Sequence, residues 1–414
     1  MSQSLEIKNK QTALAALPPE PDKDWMPLIQ AAVQSDPAKV VVLDDDPTGT
    51  QTVHGIPVLT VWDRPSLEAE LKTDAPAFFI LTNSRALPRD AACALAREIA
   101  GNLAHASGTT GVPVSVISRS DSTLRGHFPH EVDETATLLG LENRPYFICP
   151  FFLEGGRYTI EDIHYVAEGD DLVPAAQTPY AKDRAFGFTR SDLRDWVEEK
   201  TGGRIQADQV VSISLDDLRN QGPDRVAERL CAAGPGTACI VNAASYRDME
   251  VAVAGLMKAR KKGKRFLYRT AASFVRVRTG IEPGKAFLSS RDLVTANPEG
   301  LANGGLFLAG SYVPKTTAQI RALQQESGLE SIELRVPALL DPDTCSAETD
   351  RVRQKANALI AGGRDTLVYT SRKLAGSNDP AKSLEIGKKV SESLIAVVRG
   401  LDVQPRYLVA KGGI

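Results

Sequence analysis

Three consecutive carboxylates, Asp44, Asp45 and Asp46, are the part of this chain best suited to chemistry. They follow the apolar run Val40 to Leu43 and precede a Pro-Thr-Gly turn. Such a run predicts a buried parallel strand, and the ligand sites of open α/β sheets lie beyond the carboxyl ends of these strands. Carboxylates this close repel one another, so cations, hydrogen-bond donors or solvent must surround them if all are ionised. The simplest alternative is a solvated acidic turn.

Three further polar clusters also follow apolar runs directly: Thr82 to Arg85, Ser118 to Gly126, and Glu154 to Arg157. If each run is a parallel strand, all the clusters open onto one edge of a sheet and form a single polar pocket. Arginine meets a carboxylate with two hydrogen bonds, so this pocket suits a small polyhydroxylated anion. The candidates for its carboxylate are Arg85, Arg119, Arg125 and Arg157, and those for its hydroxyls are Asp45, Asp46 and Asn83. An ion pair with Asp121 is an alternative role for Arg125.

The second half of the chain contains patterns that favour phosphate binding. Gly310-Ser311 is a glycine turn that leads into a predicted helix, whose free N–H groups and dipole attract an anion. Gly412-Gly413 and Thr370-Ser371-Arg372 follow two later apolar runs and are similar, weaker signals. Thr316 or Thr317 as a simple helix N-cap is the alternative interpretation.

Apolar runs alternate with amphipathic segments along most of the chain, which predicts parallel sheets covered by helices on both faces. The expected strands of the first half are 40–43, 57–62, 77–81, 114–117, 146–149, 210–213, 238–241 and 265–268. The expected elements of the second half are strands 306–309, 331–336, 366–369 and 406–410 and helices 316–327, 347–360 and 381–398.

These elements predict the fold class α/β, with two α/β domains built on largely parallel sheets. Residues 1–36 are polar, and Pro18, Pro19 and Pro21 interrupt their short helical patterns, so we expect an N-terminal extension packed on the surface. The first domain is expected over residues 37–285 and the second over 300–414. A stretch rich in glycine and proline, 280–305, marks the boundary between them.

Composition excludes some classes of protein. The chain has 414 residues, and 49 Lys and Arg against 52 Asp and Glu give a net charge of -3, so no general attraction for nucleic acid is expected. No window resembles a signal peptide or a membrane span, and the cytoplasm is the expected location. The five cysteines are scattered, which favours reduced thiols over a zinc site. His127 and His130 lie near Asp133 without standard metal spacing, so surface or packing roles are expected and the metal ligands stay unassigned.

One alternative assigns the acidic run to a phosphatase. The pattern Asp44-x-Asp46-x-Thr48 after an apolar strand fits the nucleophile motif of haloacid-dehalogenase-like phosphatases. Thr82-Asn83 resembles their second motif, and Asp216-Asp217 resembles their acidic pair. In that mechanism the first aspartate forms an aspartyl-phosphate. This interpretation leaves the 121–126 segment and the whole second half of the chain unused.

The order of motifs instead resembles the four-carbon acid sugar kinase family from about Val40 to the last residue. The matching segments are Asp45-Asp46-Pro47-Thr48-Gly49, Asp121-Ser122-Thr123-Leu124-Arg125-Gly126, Gly156-Arg157-Tyr158-Thr159, Gly310-Ser311 with Thr317 and Gln319, and Gly412-Gly413. The resemblance implies ATP- and Mg²⁺-dependent phosphorylation of a hydroxyl on an acid sugar such as a threonate, erythronate or oxo-tetronate. It also implies an N-terminal substrate domain, a C-terminal nucleotide domain and a cleft between them.

The resemblance also implies roles for individual residues. The catalytic base is expected to be Asp45 or Asp46, with Asp121 as the alternate. The expected substrate-binding residues are Asn83, Arg85, Ser122, Thr123, Arg125 and Arg157, and the expected nucleotide-binding residues are Gly310, Ser311, Thr317, Gly412 and Gly413. The partner is a small acid sugar, with neither nucleic acid nor membrane, and a homodimer is compatible with the sequence.

Three features depart from the family pattern. Asp44 adds a third charge ahead of the usual Asp pair, and Asn242-Ala243 stands where the family usually has Asp-Ala. The family continues past Gly-Gly with a Ser or Thr and a helix, so the nucleotide domain is expected to be truncated at its C-terminus. A module that binds an acid sugar without turnover is therefore a further alternative.

Overall fold

The structure is a computed structural model that describes residues 5–284, 302–326, 328–372 and 380–412. The chain divides into two compact units, Met1–Gly284 and Lys285–Ile414. Each unit contains a parallel sheet with helices, so the prediction of two α/β domains is confirmed. Within the described ranges, no helix has the length and apolar character needed to cross a membrane.

The first unit is built on an eight-stranded parallel sheet in the order β10-β11-β6-β12-β5-β2-β4-β3. Its strands are β2 (Lys39–Asp44), β3 (Val58–Leu59), β4 (Ala77–Leu81), β5 (Val114–Arg119), β6 (Tyr146–Cys149), β10 (Val211–Ile213), β11 (Ala238–Val241) and β12 (Leu267–Thr270). In β2, Val40 and Val42 belong to one core and Val41 and Leu43 to another. Burial on both faces is why positions 40–43 of this strand are all apolar.

Helices pack on both faces of this sheet. Their bounds are α1 (Lys10–Ala15), α2 (Met26–Ser35), α3 (Arg64–Leu71), α4 (Arg89–Thr110), α5 (His130–Leu138), α6 (Leu193–Lys200), α7 (Gly222–Ala232), α8 (Tyr246–Lys261) and α9 (Ala272–Arg278). The core that contains Val41 includes residues of α3 and α4, and the core that contains Val40 includes residues of α2, α8 and α9. The long connections between parallel strands are therefore used to cover the sheet.

A second, antiparallel sheet of the first unit differs from the sequence expectation. It has the order β1-β9-β8-β7, with β1 (Lys8–Asn9), β7 (Arg157–Ile160), β8 (Ile163–Glu168) and β9 (Asp171–Pro174). The N-terminal segment supplies β1, and Met26 and Ile29 of α2 are buried in the core. Residues 1–36 are therefore not only a surface extension, because they contribute both a strand and apolar core residues.

The second unit contains a four-stranded parallel sheet in the order β14-β15-β13-β16. The strands are β13 (Leu306–Ala309), β14 (Glu330–Leu334), β15 (Thr366–Thr370) and β16 (Leu408–Lys411). The helices are α10 (Pro314–Gln324), α11 (Val336–Leu340), α12 (Pro342–Ala361) and α13 (Pro380–Arg399). The strands and long helices expected from the sequence are present, with ends that differ by a few residues.

Two expected strands of the first unit have different bounds. The run 57–62 forms a strand only over Val58–Leu59, at the edge of the sheet. The strand expected at 265–268 instead covers Leu267–Thr270. This second shift places Arg269 inside a buried strand, where its exposed fraction is 0%.

Candidate active site

The loops that follow strands β2, β4 and β5 carry aspartates and arginines, and they meet because these three strands are neighbours. The strands β5, β2 and β4 are adjacent and parallel, with Asp44 in register with Arg119 of β5 and with Leu81 of β4. Parallel strands end at the same edge, so the loops 44–49, 82–85 and 120–126 emerge side by side. The structure therefore brings three of the four predicted clusters to one edge of the sheet.

Arg85 is the centre of this group of charges. Its guanidinium donates to the Asp46 carboxylate and lies 3.8 Å from Asp45 Oδ1 and 3.3 Å from Asp121 Oδ1. Only 5% of the Arg85 side chain is exposed, against 13% for Asp46. Burial alone would lower the pKa of Arg85, but Asp45 and Asp121 raise it, so the cation stays charged.

Asp121 and Asp45 respond differently to this environment. Burial alone would raise the pKa of Asp121, but Arg125 and Arg85 hold that pKa well below its usual range. Asp121 Oδ2 accepts from Arg125 Nε at 2.7 Å and from the Thr123 hydroxyl, and Asp121 Oδ1 lies 3.3 Å from Arg85 Nη1. Burial raises the pKa of Asp45, against the effect of Arg85, and neither Asp45 oxygen has a hydrogen-bond partner in the described residues.

Asp44 is a buried structural partner of Arg119. Its Oδ1 lies 3.0 Å from Arg119 Nη1, and 3% of its side chain is exposed. Burial raises the pKa of Asp44 to about 7, although Arg119 lowers it. A methyl group at Gly49 would overlap this carboxylate, so the turn closes directly over Asp44.

This environment argues against the phosphatase alternative. A nucleophile must face its substrate, and Asp44 is covered by its own turn. The Asp216-Asp217 pair follows β10, five positions from β2 in the sheet, which is roughly 24 Å at the usual spacing of strands. Asp217 is instead paired with Arg225 at 3.2 Å.

Arg125 and Arg157 lie on the same tyrosine. Their guanidinium carbons are 5.2 and 5.7 Å from the centre of the Tyr180 ring. Arg125 also pairs with Asp121, as the alternative interpretation required, and lies 3.4 Å from Asp183. Arg157 begins strand β7 of the antiparallel sheet, so it reaches this region from a different sheet than we expected. Its Nη1 donates to the Gly155 carbonyl, and its Nε has no partner in the described residues.

The remaining substrate-binding candidates, Asn83, Ser122 and Thr123, differ in their exposure to solvent. Asn83 is exposed and has a positive φ of 50°, directly beside the acidic loop. Ser122 and Thr123 are buried, at 8% and 2% exposure, and the Thr123 hydroxyl is already bonded to Asp121. Thr123 therefore orients Asp121, whereas Asn83 is free to contact a ligand.

No functional role was predicted from the sequence for Glu131, His164 or Arg269. Glu131 of α5 lines a small cavity of about 20 Å³ together with Asp45 and Ser84, and burial raises the pKa of Glu131 to about 7. A cavity of this size holds about one water molecule. An acidic residue in a first helical turn normally indicates a favourable helix dipole, so no sequence signal pointed to the raised pKa of Glu131.

The candidate nucleotide residues lie at the carboxyl edge of the second sheet. Gly310 and Ser311 follow β13, and the Thr316 hydroxyl is 3.2 Å from the Ser311 hydroxyl. Arg372, after β15, donates to the Ser311 carbonyl at 2.6 Å and to Thr317 Oγ1 at 3.1 Å. Gly412 follows β16, and Gly413 lies outside the described residues. The structure thus brings Ser311, Thr317 and Arg372 together.

The two histidines near Asp133 make no metal site. His127 Nε2 lies 3.1 Å from the Ser84 carbonyl and 3.0 Å from the Leu87 carbonyl, in a packing role. Across the described ranges, no group of three or more His, Cys, Asp or Glu side chains could hold a metal ion.

Comparisons with known proteins match both units. The family model described as a sugar-binding N-terminal domain matches residues 40–278. The model described as a nucleotide-binding C-terminal domain matches residues 306–414. No curated protein matches the sequence.

Solved structures with low sequence identity resemble the chain. A putative tRNA synthase from Salmonella typhimurium is 17% identical, with 87% of this chain and 80% of that chain covered and a TM-score of 0.55. A Haemophilus influenzae protein is 15% identical, with coverages of 90% and 86% and a TM-score of 0.52. A citrate-bound, domain-swapped dimer of a Bordetella bronchiseptica domain of unknown function is 21% identical, with coverages of 90% and 83% and a TM-score of 0.44.

At these identities the resemblance to solved structures is one of fold. The two family models together span most of the sequence and agree with its division into two α/β units. The chain therefore belongs to the family that joins a sugar-binding N-terminal domain to a nucleotide-binding C-terminal domain, the architecture of the four-carbon acid sugar kinases.

Proposed function

We propose that this protein is an ATP-dependent kinase that phosphorylates a hydroxyl of a small, four-carbon acid sugar. The observation that carries the proposal is the connected group Asp46, Arg85, Asp121 and Arg125 at one edge of the sheet. It offers fixed cations for a carboxylate and fixed carboxylates for hydroxyls within the span of one small molecule.

In this proposal, the substrate carboxylate binds Arg157 and Arg125. Both guanidiniums lie on Tyr180, and Arg157 Nε is buried without a partner in the described residues. An unpaired buried donor is costly, and a charged acceptor would satisfy it. Asn83, which is exposed beside the acidic loop, would bind a hydroxyl.

We assign the base to Asp46 rather than to Asp45. Of the Asp45, Asp46 and Asp121 side chains, Asp46 has the largest exposed fraction, 13% against 5% and 11%. Its Oδ1 accepts from the Thr48 backbone N–H at 2.7 Å, so its orientation is fixed before substrate arrives. Phosphoryl transfer depends mainly on such positioning and on neutralising charge.

The nucleotide would bind at Ser311, Thr317 and Arg372 in the second unit. Arg372 and the N-terminus of α10 both favour negative charge there. Asp44 and Asp46 are paired with arginines, so Mg²⁺ is expected to bind mainly through the nucleotide phosphates, which it would neutralise during transfer.

The test is a coupled assay of ADP release with a panel of four-carbon acid sugars, ATP and Mg²⁺. A kinase releases ADP only when an acid sugar is present. Hydrolysis of p-nitrophenyl phosphate without nucleotide, abolished by Asp44→Asn, would support the phosphatase instead. Thermal stabilisation by an acid sugar without ADP release would support a binding module.

A further inference from the structure

The backbone of the loop 121–126 is bound from the protein interior by two buried side chains. Arg269 Nη2 donates to the Asp121 carbonyl at 2.8 Å and to the Arg125 carbonyl at 3.1 Å. His164 Nε2 lies 2.7 Å from the Ser122 carbonyl. Two of these carbonyls belong to Asp121 and Arg125, whose side chains are in the charged group, and the third belongs to Ser122 beside them, so the contacts fix where those side chains emerge.

Arg269 is a fully buried cation with an unusual set of partners. Its exposed fraction is 0%, and its guanidinium carbon lies 5.3 Å from the centre of the Trp196 ring. Nε and Nη1 have no hydrogen-bond partner in the described residues. Burying a guanidinium is costly, and both hydrogen bonds from Arg269 Nη2 go to carbonyls of the loop. Packing alone would be served better by an apolar residue.

His164 binds the same loop as a neutral ring. Burial lowers the pKa of His164 to about 3, so the imidazole is uncharged near neutral pH. A carbonyl can only accept, so Nε2 carries the proton and donates to Ser122. Nδ1 then accepts from the Thr159 hydroxyl at 3.0 Å, and Thr159 lies opposite His164 in the β7–β8 pair. Thr159 thereby fixes both the tautomer and the ring orientation.

The loop needs such support because its backbone is strained. Leu124 has a φ of +71° although it is not glycine, and its side chain is 1% exposed. Left-handed residues of this kind are unfavourable and persist where surrounding contacts determine the conformation. The hydrogen bonds from Arg269 and His164 to the loop carbonyls are contacts of that kind.

We propose that Arg269 and His164 are positioning residues that hold the 121–126 backbone in the conformation that presents Asp121 and Arg125 to substrate. The functional part of this inference rests on the proposed kinase activity. The structural part, that these side chains restrain the loop, does not. Displacement of reacting groups by about 1 Å can lower a rate about 100-fold, so loss of the contacts should affect turnover.

The first test is Arg269→Lys, with Arg278→Lys as the matched control. Arg278 is also fully buried, at 1% exposure, but it pairs with Asp36 and makes no contact with the loop. Lysine keeps the charge but cannot reproduce the planar donor group. In Arg269→Lys, but not in Arg278→Lys, we expect faster hydrogen exchange of the 121–126 amides. We also expect a 10- to 100-fold lower kcat/KM for the sugar in Arg269→Lys, with KM for ATP unchanged.

The second test compares variants of His164. His164→Gln keeps a donor near the Nε2 position and should retain most activity, whereas His164→Leu should lose it. Thr159→Ser keeps the hydroxyl and should behave as wild type, whereas Thr159→Val should resemble His164→Leu. A role in packing alone would not give this dependence on the donor and the hydroxyl.

The outcomes separate this inference from the kinase proposal. Unchanged exchange of the 121–126 amides in folded Arg269→Lys and His164→Leu would overturn the inference, even if the protein is an active kinase. If the variants exchange faster but the wild-type protein has no kinase activity, the restraint of the loop is supported and the kinase proposal is rejected. Equal effects of Arg278→Lys and Arg269→Lys on amide exchange and on kcat/KM would also overturn the inference that Arg269 restrains the loop.

Discussion

Arg85 and Asp121 form an ion pair of 3.3 Å although β2 separates the strands that carry them. The two strands are about 10 Å apart at the usual spacing, so the arginine side chain bridges the loop that follows β2. One guanidinium thereby joins three loops into a single charged group.

Removing this guanidinium should destabilise the protein strongly. Arg85→Ala leaves Asp45, Asp46 and Asp121 without their shared cation, and breaking a buried pair typically costs about 3–5 kcal/mol. Urea unfolding at neutral pH measures the change. The control Arg97→Ala removes a more exposed pair with Glu134 and should cost at most about 1 kcal/mol. Equal losses in the two variants would contradict the central role of Arg85.

Asp46→Asn should lower kcat while leaving the fold intact. The amide keeps the shape of the side chain but cannot take the substrate proton, and loss of a general base typically costs about 10²–10⁴ in rate. Steady-state kinetics with the acid sugar found in the screen measure this effect. If Asp46→Asn has a normal kcat and Asp45→Asn is folded but inactive, the general base is Asp45 and not Asp46.

Arg157→Gln should raise KM for the acid sugar about 10- to 100-fold, which corresponds to the loss of one hydrogen-bonded charge pair. The thermal shift caused by the sugar should shrink in parallel. Arg144→Gln is the control, because Arg144 is exposed and precedes β6 at the opposite edge of the sheet. If Arg157→Gln binds the sugar as tightly as wild type, the carboxylate lies elsewhere.

Glu131 should give the stability a measurable pH dependence. Burial raises the pKa of Glu131 from 4.5 to about 7, so the folded state holds a proton that the unfolded chain releases. Its contribution is complete below pH 4.5 and is lost as the pH rises through 7, with a slope of at most about 1.4 kcal/mol per pH unit. Besides burial, Asp45 raises this pKa, and the Ser84 side chain and Arg85 lower it.

The measurement is the free energy of unfolding of wild type and of Glu131→Gln from pH 4 to 8. The wild type should lose stability relative to Glu131→Gln across this range. Glu134→Gln, on the same helix, is the control and should run parallel to wild type. If the free energy of unfolding of wild type, relative to that of Glu131→Gln, stays constant or rises with pH, Glu131 is ionised in the folded protein.

Arg372→Ala should weaken ADP binding about 10-fold or more, since a hydrogen bond to a charged group is worth about 1.5–3 kcal/mol. Titration calorimetry at two salt concentrations would detect the loss of affinity and of salt dependence. Arg364→Ala is the matched control, because Arg364 precedes the same strand at its amino end and pairs with Glu330. Equal losses in both variants would place the nucleotide elsewhere.

The sequence predicted the parallel part of the fold and the loops that carry the charges. The continuous apolar run before Asp44 arises because β2 is buried on both faces, and that pattern is local. The ends of such runs then indicate which loops share an edge. The neighbours of β2 in the sheet, β4 and β5, carry two of the predicted clusters.

Contacts that depend on distant elements could not be predicted in this way. The antiparallel sheet uses strands of two to six residues with mixed polarity, so Arg157 gave no strand signal. Arg269 extends a run expected to end at Tyr268, and a charged residue after an apolar run normally indicates a strand end. Its burial depends on the carbonyls of a loop 144 to 148 residues away along the chain.

The position of Tyr180 has a consequence for engineering. Its ring contacts both Arg125 and Arg157, yet it belongs to a short turn outside either sheet, Pro179–Lys182. Replacing it removes the ring that both guanidiniums contact, while every carboxylate and guanidinium of the charged group remains. Libraries that aim to alter what this site binds should therefore randomise Tyr180 first and leave Gly49, which has no room for a side chain, unaltered.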